Sequence, residues 1–274
     1  RDRCMMGTLL RKEIREQWRT YRLLIVAAVL VLMGLASPLL ARYTPELLKS
    51  VPGLPPELAA LMPTPTLGYA VGEYLDNLTQ FGVILALLVP MGVVVQEKER
   101  GTAAMLLCKP VARGTFLLAK FVALSVTFSA GLSLAALGCY YYCGLLFEKW
   151  PDPALFALLN AFLLLNLLVY VALTLLASTL MRSQVAAGGT AFGFFAILWA
   201  LGAIPRLGPY LPGQLVSWGH GLLLESLGEP VPGLGGMVPG TGAVEPAWTA
   251  LGIALGLIAA ALLGAYAVLR RQEI

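Results

Sequence analysis

The chain of 274 residues holds one histidine and four cysteines, and these few side chains narrow its chemistry at once. A lone His220 rules out any two-histidine metal motif, and no G-x-x-x-x-G-K-[ST] phosphate cradle occurs anywhere. No serine is paired with a histidine inside an apolar stretch, so no catalytic, metal or cofactor residue is assigned and no enzyme activity is expected. Cys139 and Cys143 lie one helical turn apart. They could form a disulfide or a weak soft-metal site; buried, unpaired thiols suit an apolar segment better. His220 reads as a surface residue. Two constellations remain. One is a neutral polar row, Asn166, Tyr170, Thr174 and Ser178, which successive i+4 steps place on one helix face. The other is the charged stretch from Gln96 to Arg113.

The elements that must position these residues are apolar. Hydrophobic residues make up 58% of the chain, charged ones 12%, and the mean hydropathy is +0.80. Soluble domains carry about 25% charged residues, so this composition excludes a typical cytosolic enzyme and points to a polytopic membrane protein. A helix needs roughly 20 apolar residues to cross a bilayer core. Six charge-free stretches are long enough, and they predict spans near 23–41, 77–96, 121–143, 154–180, 185–205 and 247–269. As drawn, these spans contain no ionisable residue besides cysteine and tyrosine. Intramembrane ionisable groups mark proton- and ion-coupled engines, so the energy for any transport is expected from elsewhere. The stretch Leu207–Leu224 is interrupted by Gly208, Pro209, Pro212 and Gly213 and is expected at the interface or as a re-entrant piece.

Basic residues then orient the bundle. Fifteen of the nineteen lie in the N-terminal segment, the loop after the second span, the loop after the fourth and the C-terminal tail. Because cytoplasmic loops hold the excess of Lys and Arg, the expected topology is N-in and C-in. Residues Leu9–Tyr21 alternate Ile14, Trp18 and Tyr21 with Arg11, Lys12, Arg15 and Arg19, the pattern of an amphipathic helix on the inner leaflet. The alternative is a helical extension of the first span. Regions 42–76 and 206–245, rich in Pro and Gly, are expected as small extracytoplasmic loops. The chain opens on Arg1, and Met5 or Met6 is the expected start.

The inner loop 97–120 carries the most specific signal. After Glu97, Lys98, Glu99 and Arg100, Gly101 suits a helix C-terminus and Thr102 can cap a new short helix. Met105, Leu106 and Leu107 form an apolar ridge on it, Lys109 complements its C-terminal dipole, and Pro110 ends it before Arg113. An apolar ridge facing the cytosol is a docking element for a partner.

Three segments of this sequence resemble the membrane permeases of ATP-binding-cassette transporters of the type-2 exporter superfamily. They are Arg11-Lys12-Glu13-Ile14 running on to Arg22, Ser37-Pro38-Leu39-Leu40 with Tyr43-Thr44-Pro45-Glu46, and Glu97–Thr102 through Lys109, Pro110, Arg113 and Lys120. In that family the last segment forms the coupling helix that receives the ATPase. Ala103 and Ala104 depart from the family's more usual Leu and charged residue. The resemblance implies an all-α permease with six transmembrane helices, an interfacial N-terminal helix and a cytoplasmic coupling helix. It also implies two ATPase subunits carrying ATP and Mg, a second permease subunit, a lipid environment in the plasma membrane and no nucleic-acid partner. A non-transporting membrane scaffold of the same fold is the other reading. The Asn166 row then either packs helices or lines the translocation path. Gly252, Gly256 and Gly264, with Gly189 and Gly193, and the row Ser125, Ser129 and Ser133, are expected to let helices approach closely.

Overall fold

A computed structural model describes residues 2–49, 65–99, 113–229 and 247–271. The described residues are helical throughout their ordered elements, with no strand among them. In chain order the helices are α1 (Asp2–Arg19), α2 (Arg22–Lys49), α3 (Leu67–Leu88), α4 (Val95–Glu99), α5 (Arg113–Phe147), α6 (Pro153–Leu180), α7 (Gln184–Gly202), α8 (Gly213–Leu227) and α9 (Trp248–Arg271). A 3-10 turn at Gly208–Tyr210 precedes α8.

Polar caps set several of the boundaries. Thr66 accepts a hydrogen bond from the Tyr69 amide at the start of α3. Asp152 accepts from the amides of Ala154 and Leu155, with Pro153 as the first helical residue of α6. Ser183 does the same for Ala186 in α7. At the far end of α8, Gly228 takes the left-handed conformation with φ 68°. Between α1 and α2 the chain turns at Thr20 and Tyr21, and Tyr21 has φ 58°. The N-terminal helix is therefore a separate element and not an extension of the first span.

Among the described residues, five helices are long and apolar enough to cross a membrane: Arg22–Thr44 within α2, and α5, α6, α7 and α9. The expected span 77–96 is not a single helix. Instead α3 begins ten residues earlier, takes in Glu73 and Asp76, and stops at Leu88; a turn over residues 89–94 leads into α4. Pro90 lies in that turn, where its missing N–H and its ring interrupt the ladder. Even broken, the segment lies alongside α2 in the opposite direction. The Asn77 side chain donates to Ser37 Oγ at 3.1 Å near one end, and Arg22 donates to Gln96 Oε1 at 3.0 Å near the other.

Other boundaries also move outward from the charges that were used to draw them. Helix α2 continues to Lys49 and so includes Pro38 and Pro45, and α5 already begins at Arg113, so residues 113–120 are helix and not loop. Lys120, Glu73 and Asp76 thus sit on the long helices themselves. Charge ends a hydropathy stretch, but it does not end a helix whose charged groups find partners.

Helices α2 and α5 run side by side in the same direction at close range. Leu30 faces Gly131 and Leu35 faces Gly138; at Gly34 an added Cβ would lie only 2.8 Å from the Ala135 carbonyl oxygen. Helix α6 is the centre of the bundle, packing against α3, α5, α7, α8 and α9. Half of its most apolar window is buried, against 17% for α7 and for α9. Helix α8 packs into the bundle and is not left at its edge. Trp218 stacks on Phe162 at 5.2 Å and meets Trp248 edge-on, and His220 is only 1% exposed. The expectation of a surface histidine fails, because α8 turns His220 toward the start of α3.

Candidate coupling site

At the end of the bundle where α1, α4 and α5 meet, four charged side chains form one network. Helix α1 turns Leu9, Glu13 and Gln17 inward, one residue per turn. The Lys120 ammonium on α5, 1% exposed, stands 3.1 Å from Glu13 Oε2 and 3.0 Å from Glu97 Oε1 on α4. Lys12 reaches the same Glu97 oxygen at 3.4 Å and Glu13 at 3.7 Å. Two ammonium groups thus balance two carboxylates, and Lys120 also lies over the Phe116 ring, 4.9 Å from its centre. Burial opposes the charge on Lys12, but Glu97, Glu13 and Glu16 outweigh it and raise its pKa above the usual 10.5. Removing one partner from such a buried set leaves an uncompensated charge, which costs about 3–5 kcal/mol.

Neutral and cationic contacts continue the junction. Thr127 on α5 bonds Gln17, and Gln96 accepts from Arg22 while donating to Gln184 at 2.8 Å. Arg113 donates to the carbonyls of Leu269 and, at 3.1 Å, Arg270, so the first residue of α5 holds the last turn of α9. Glu13, Glu16 and Glu97 bring carboxylate oxygens within 4.8 Å of one another. Lys12 and Lys120 already supply the positive charge there, which makes the group an ion-pair hub and not a vacant cation site.

Of the residues expected to dock a partner, Glu97 and Arg113 lie in this junction, and Lys98 and Glu99 complete α4. Arg100, Gly101, Thr102, Met105, Leu106, Leu107, Lys109 and Pro110 lie outside the described residues. Both ends of the 97–113 segment are nonetheless anchored, one to α1 through Glu97 and the other to α9 through Arg113. Sequence reasoning missed Glu13 and Lys120 as partners. They stand 107 positions apart, and no periodicity relates them.

The polar row on α6 is closed inside the subunit. Asn166, Thr174 and Ser178 are buried. Ser178 Oγ accepts from the amides of Val94 and Val95 at 3.2 and 3.3 Å, which caps the break in the α3–α4 segment. Asn166 and Tyr170, with Thr79 of α3, line a small pocket of about 40 Å³. The buried oxygens Asn166 Oδ1, Thr174 Oγ1 and Thr79 Oγ1 have no hydrogen-bond partner among the described residues. That volume is enough for ordered water beside unpaired polar atoms. Cys139 and Cys143 are free thiols, buried, with sulfurs 3.8 Å apart. Among the glycines expected to pack helices, Gly264 meets Leu176 at 3.4 Å, whereas Gly252, Gly256, Gly189 and Gly193 have no neighbour within 4 Å of an added Cβ. No described residue of this chain fills those four notches.

Opposite the ion-pair hub, α3 and α8 are clasped through one peptide. Gly68 donates its N–H to Glu229 Oε2 at 3.0 Å, and its carbonyl oxygen pairs with His220 Nε2 at 3.2 Å.

Bundle and junction together define a multi-pass helical membrane protein with an ion-paired cluster where two helices flank a connecting segment. A family model described as ABC-2 family transporter protein matches residues 8–274, and the chain belongs to that family. It is similar to an uncharacterized transmembrane protein of Bacillus subtilis (strain 168), YxlG, with 28% identity covering 81% of this chain and 86% of that one. Family membership makes the chain a membrane subunit of an ATP-binding-cassette transporter, a type that associates with an ABC ATPase.

Proposed function

We propose that this chain is the permease of an exporter, moving a substrate across the plasma membrane of a bacterial or archaeal cell with ATP hydrolysed on a separate subunit. The observation that carries the reading is the buried Lys120 hub. It fixes Glu97, where the 97–113 segment departs, to both α1 and α5. A pull on that segment is then delivered to three helices at once and not lost in a loose loop.

In this reading the α3–α4 segment is the sixth crossing, and both termini lie in the cytoplasm. Two ATPases, holding ATP and Mg, dock on the Thr102–Lys109 ridges of two permease subunits. This chain itself performs no catalysis and binds no cofactor. The Asn166 row faces a substrate only if α3 and α6 part during the cycle.

The decisive experiment is co-purification with an ABC ATPase followed by hydrolysis assays. Glu97→Ala and Arg100→Ala are expected to abolish the permease's stimulation of ATP hydrolysis; unchanged stimulation in both would refute docking here. Orientation is tested with an impermeant thiol reagent on intact cells, which is expected to spare Cys4 and Cys108.

A further inference from the structure

Helix α1 uses only one of its faces inside the fold. With Leu9, Glu13 and Gln17 turned to α5, two rows remain outside. The first is Arg11, Arg15 and Arg19 at i+4 spacing, continued past the turn by Arg22. These residues line a cleft of about 900 Å³ between α1, the start of α2 and the Val93–Glu97 segment. Arg11, Arg15 and Arg19 make no ion pair or side-chain hydrogen bond with any described residue. The cleft also contains Lys12, Glu16 and Glu97. Glu97 is already matched by Lys12 and Lys120, so the free charge left in the cleft is strongly positive.

The second outer row is apolar. Leu10, Ile14 and Trp18 line a neighbouring groove of about 570 Å³, and Arg11 and Arg15 border both the groove and the cleft. Trp18 is 68% exposed, an indole left largely open near the start of α2. Three unpaired cations would suit many anions. Cations and an apolar trough sharing two arginines suit an amphiphile, whose phosphate and hydrocarbon separate by about the width of one helix.

We propose that this surface is a binding site for an anionic phospholipid. The phosphate headgroup is held by Arg11, Arg15 and Arg19, and an acyl chain lies along Leu10, Ile14 and Trp18. Only the choice of the inner leaflet rests on the orientation proposed above. Arg22, on the cleft wall, holds Gln96, the residue before Glu97. An occupied site therefore stiffens the same junction that anchors the coupling segment.

The test uses the full chain without an ATPase, so that it fails or succeeds independently of the exporter reading. The detergent-solubilised protein is titrated with dioleoyl phosphatidylglycerol or dioleoyl phosphatidylcholine, and bound lipid is counted by native mass spectrometry. Equal acyl chains isolate the headgroup. The anionic lipid is expected to be retained at least about tenfold more strongly, as several cations near an anionic surface act together. Arg11→Gln/Arg15→Gln/Arg19→Gln is expected to erase the preference, and the corresponding triple Lys variant to keep most of it. The Lys variant also serves if the Gln variant folds poorly. Equal retention of both lipids, or a preference that survives the triple Gln change, overturns the proposal. So does complete displacement of the lipid by 10 mM inorganic phosphate, on the order of which free phosphate would compete for a bare anion site.

Discussion

The two ends of the α3–α4 segment are held by opposite kinds of chemistry. Near Glu97 the hold is ionic: Lys120 and Lys12 meet Glu13 and Glu97 through long side chains, three of them largely buried. Near Gly68 it is a backbone peptide, gripped by His220 and Glu229 from α8. An ionic hub tolerates small shifts of its helices, since several donors and acceptors can exchange partners. A peptide clasp does not, because both partners grip one fixed backbone unit, with Leu224 and Glu229 closed over Gly68. In the exporter reading proposed above, the hub is the end suited to transmit displacement and the clasp the end suited to resist it.

The sharpest way to break this contrast is at the hub. Lys120→Met leaves Glu13 and Glu97 facing each other without the shared ammonium, and a loss of about 3–5 kcal/mol is expected. A large drop in the melting temperature of the purified protein checks it, and adding Glu97→Gln should restore part of that drop. Gly68→Val should cost less, about 1–3 kcal/mol as an overpacked contact. Its Cβ would sit 2.2 Å from Leu224 Cδ2 and 2.3 Å from Glu229 Oε2. Its melting temperature should fall, while the Lys120→Met defect should not be repaired by it.

A smaller effect separates the two ends by pH. Burial lowers the His220 pKa from 6.5, against the weaker opposing pull of its Gly68 hydrogen bond and of Glu229. The unfolded chain then takes up the proton first as pH falls. Stability is therefore fully present above about pH 6.5 and declines as pH drops through the folded value. His220→Gln should flatten this slope in melting curves between pH 7.5 and 5, with the hub variants leaving it in place. Smallest of all, Gly252→Ala with Gly256→Ala should not destabilise the isolated chain, since no described residue packs there and Ala favours a helix by about 0.5–1 kcal/mol over Gly. A fall in the dimeric fraction of that variant, read by crosslinking, would mark this face of α9 as a contact with a second subunit.

The apolar spans were largely legible because hydropathy is a local property. Helices α2, α5, α6, α7 and α9 each overlap a stretch read between charges. What failed has specific causes. Pro90 lies in an otherwise apolar stretch, so hydropathy passes over it while the helix cannot. Asp76 and Lys120 ended the predicted spans but not the helices, and Glu73, expected in a loop, lies on α3. His220 was misplaced because the sequence around it is rich in glycine, and glycine here serves close packing: Gly219 lies against Leu159 and Phe162, and Gly72 against His220. In the candidate site, charge and spacing singled out Glu97 and Arg113 as docking residues, and the structure shows both held by side-chain contacts. The partners that anchor them, Glu13 and Lys120 for one and the carbonyls of Leu269 and Arg270 for the other, were not visible in the sequence.

By itself, the sequence determined that this is a polytopic helical membrane protein and that its positive charge is concentrated at the N-terminus and around residues 97–120, while three of its segments resemble ABC permeases, the family whose model matches the chain. Those follow from composition, spacing and local motif, which depend on neighbours along the chain. Only the tertiary structure decided that the expected span 77–96 is broken and braced by Ser178, that His220 is a buried clasp, and that the 12% of charged residues includes a buried network joining α1, α4 and α5. Each of these depends on which side chains meet across more than eighty residues of chain. Burial of a charge or a polar group is stable only where such a distant partner arrives.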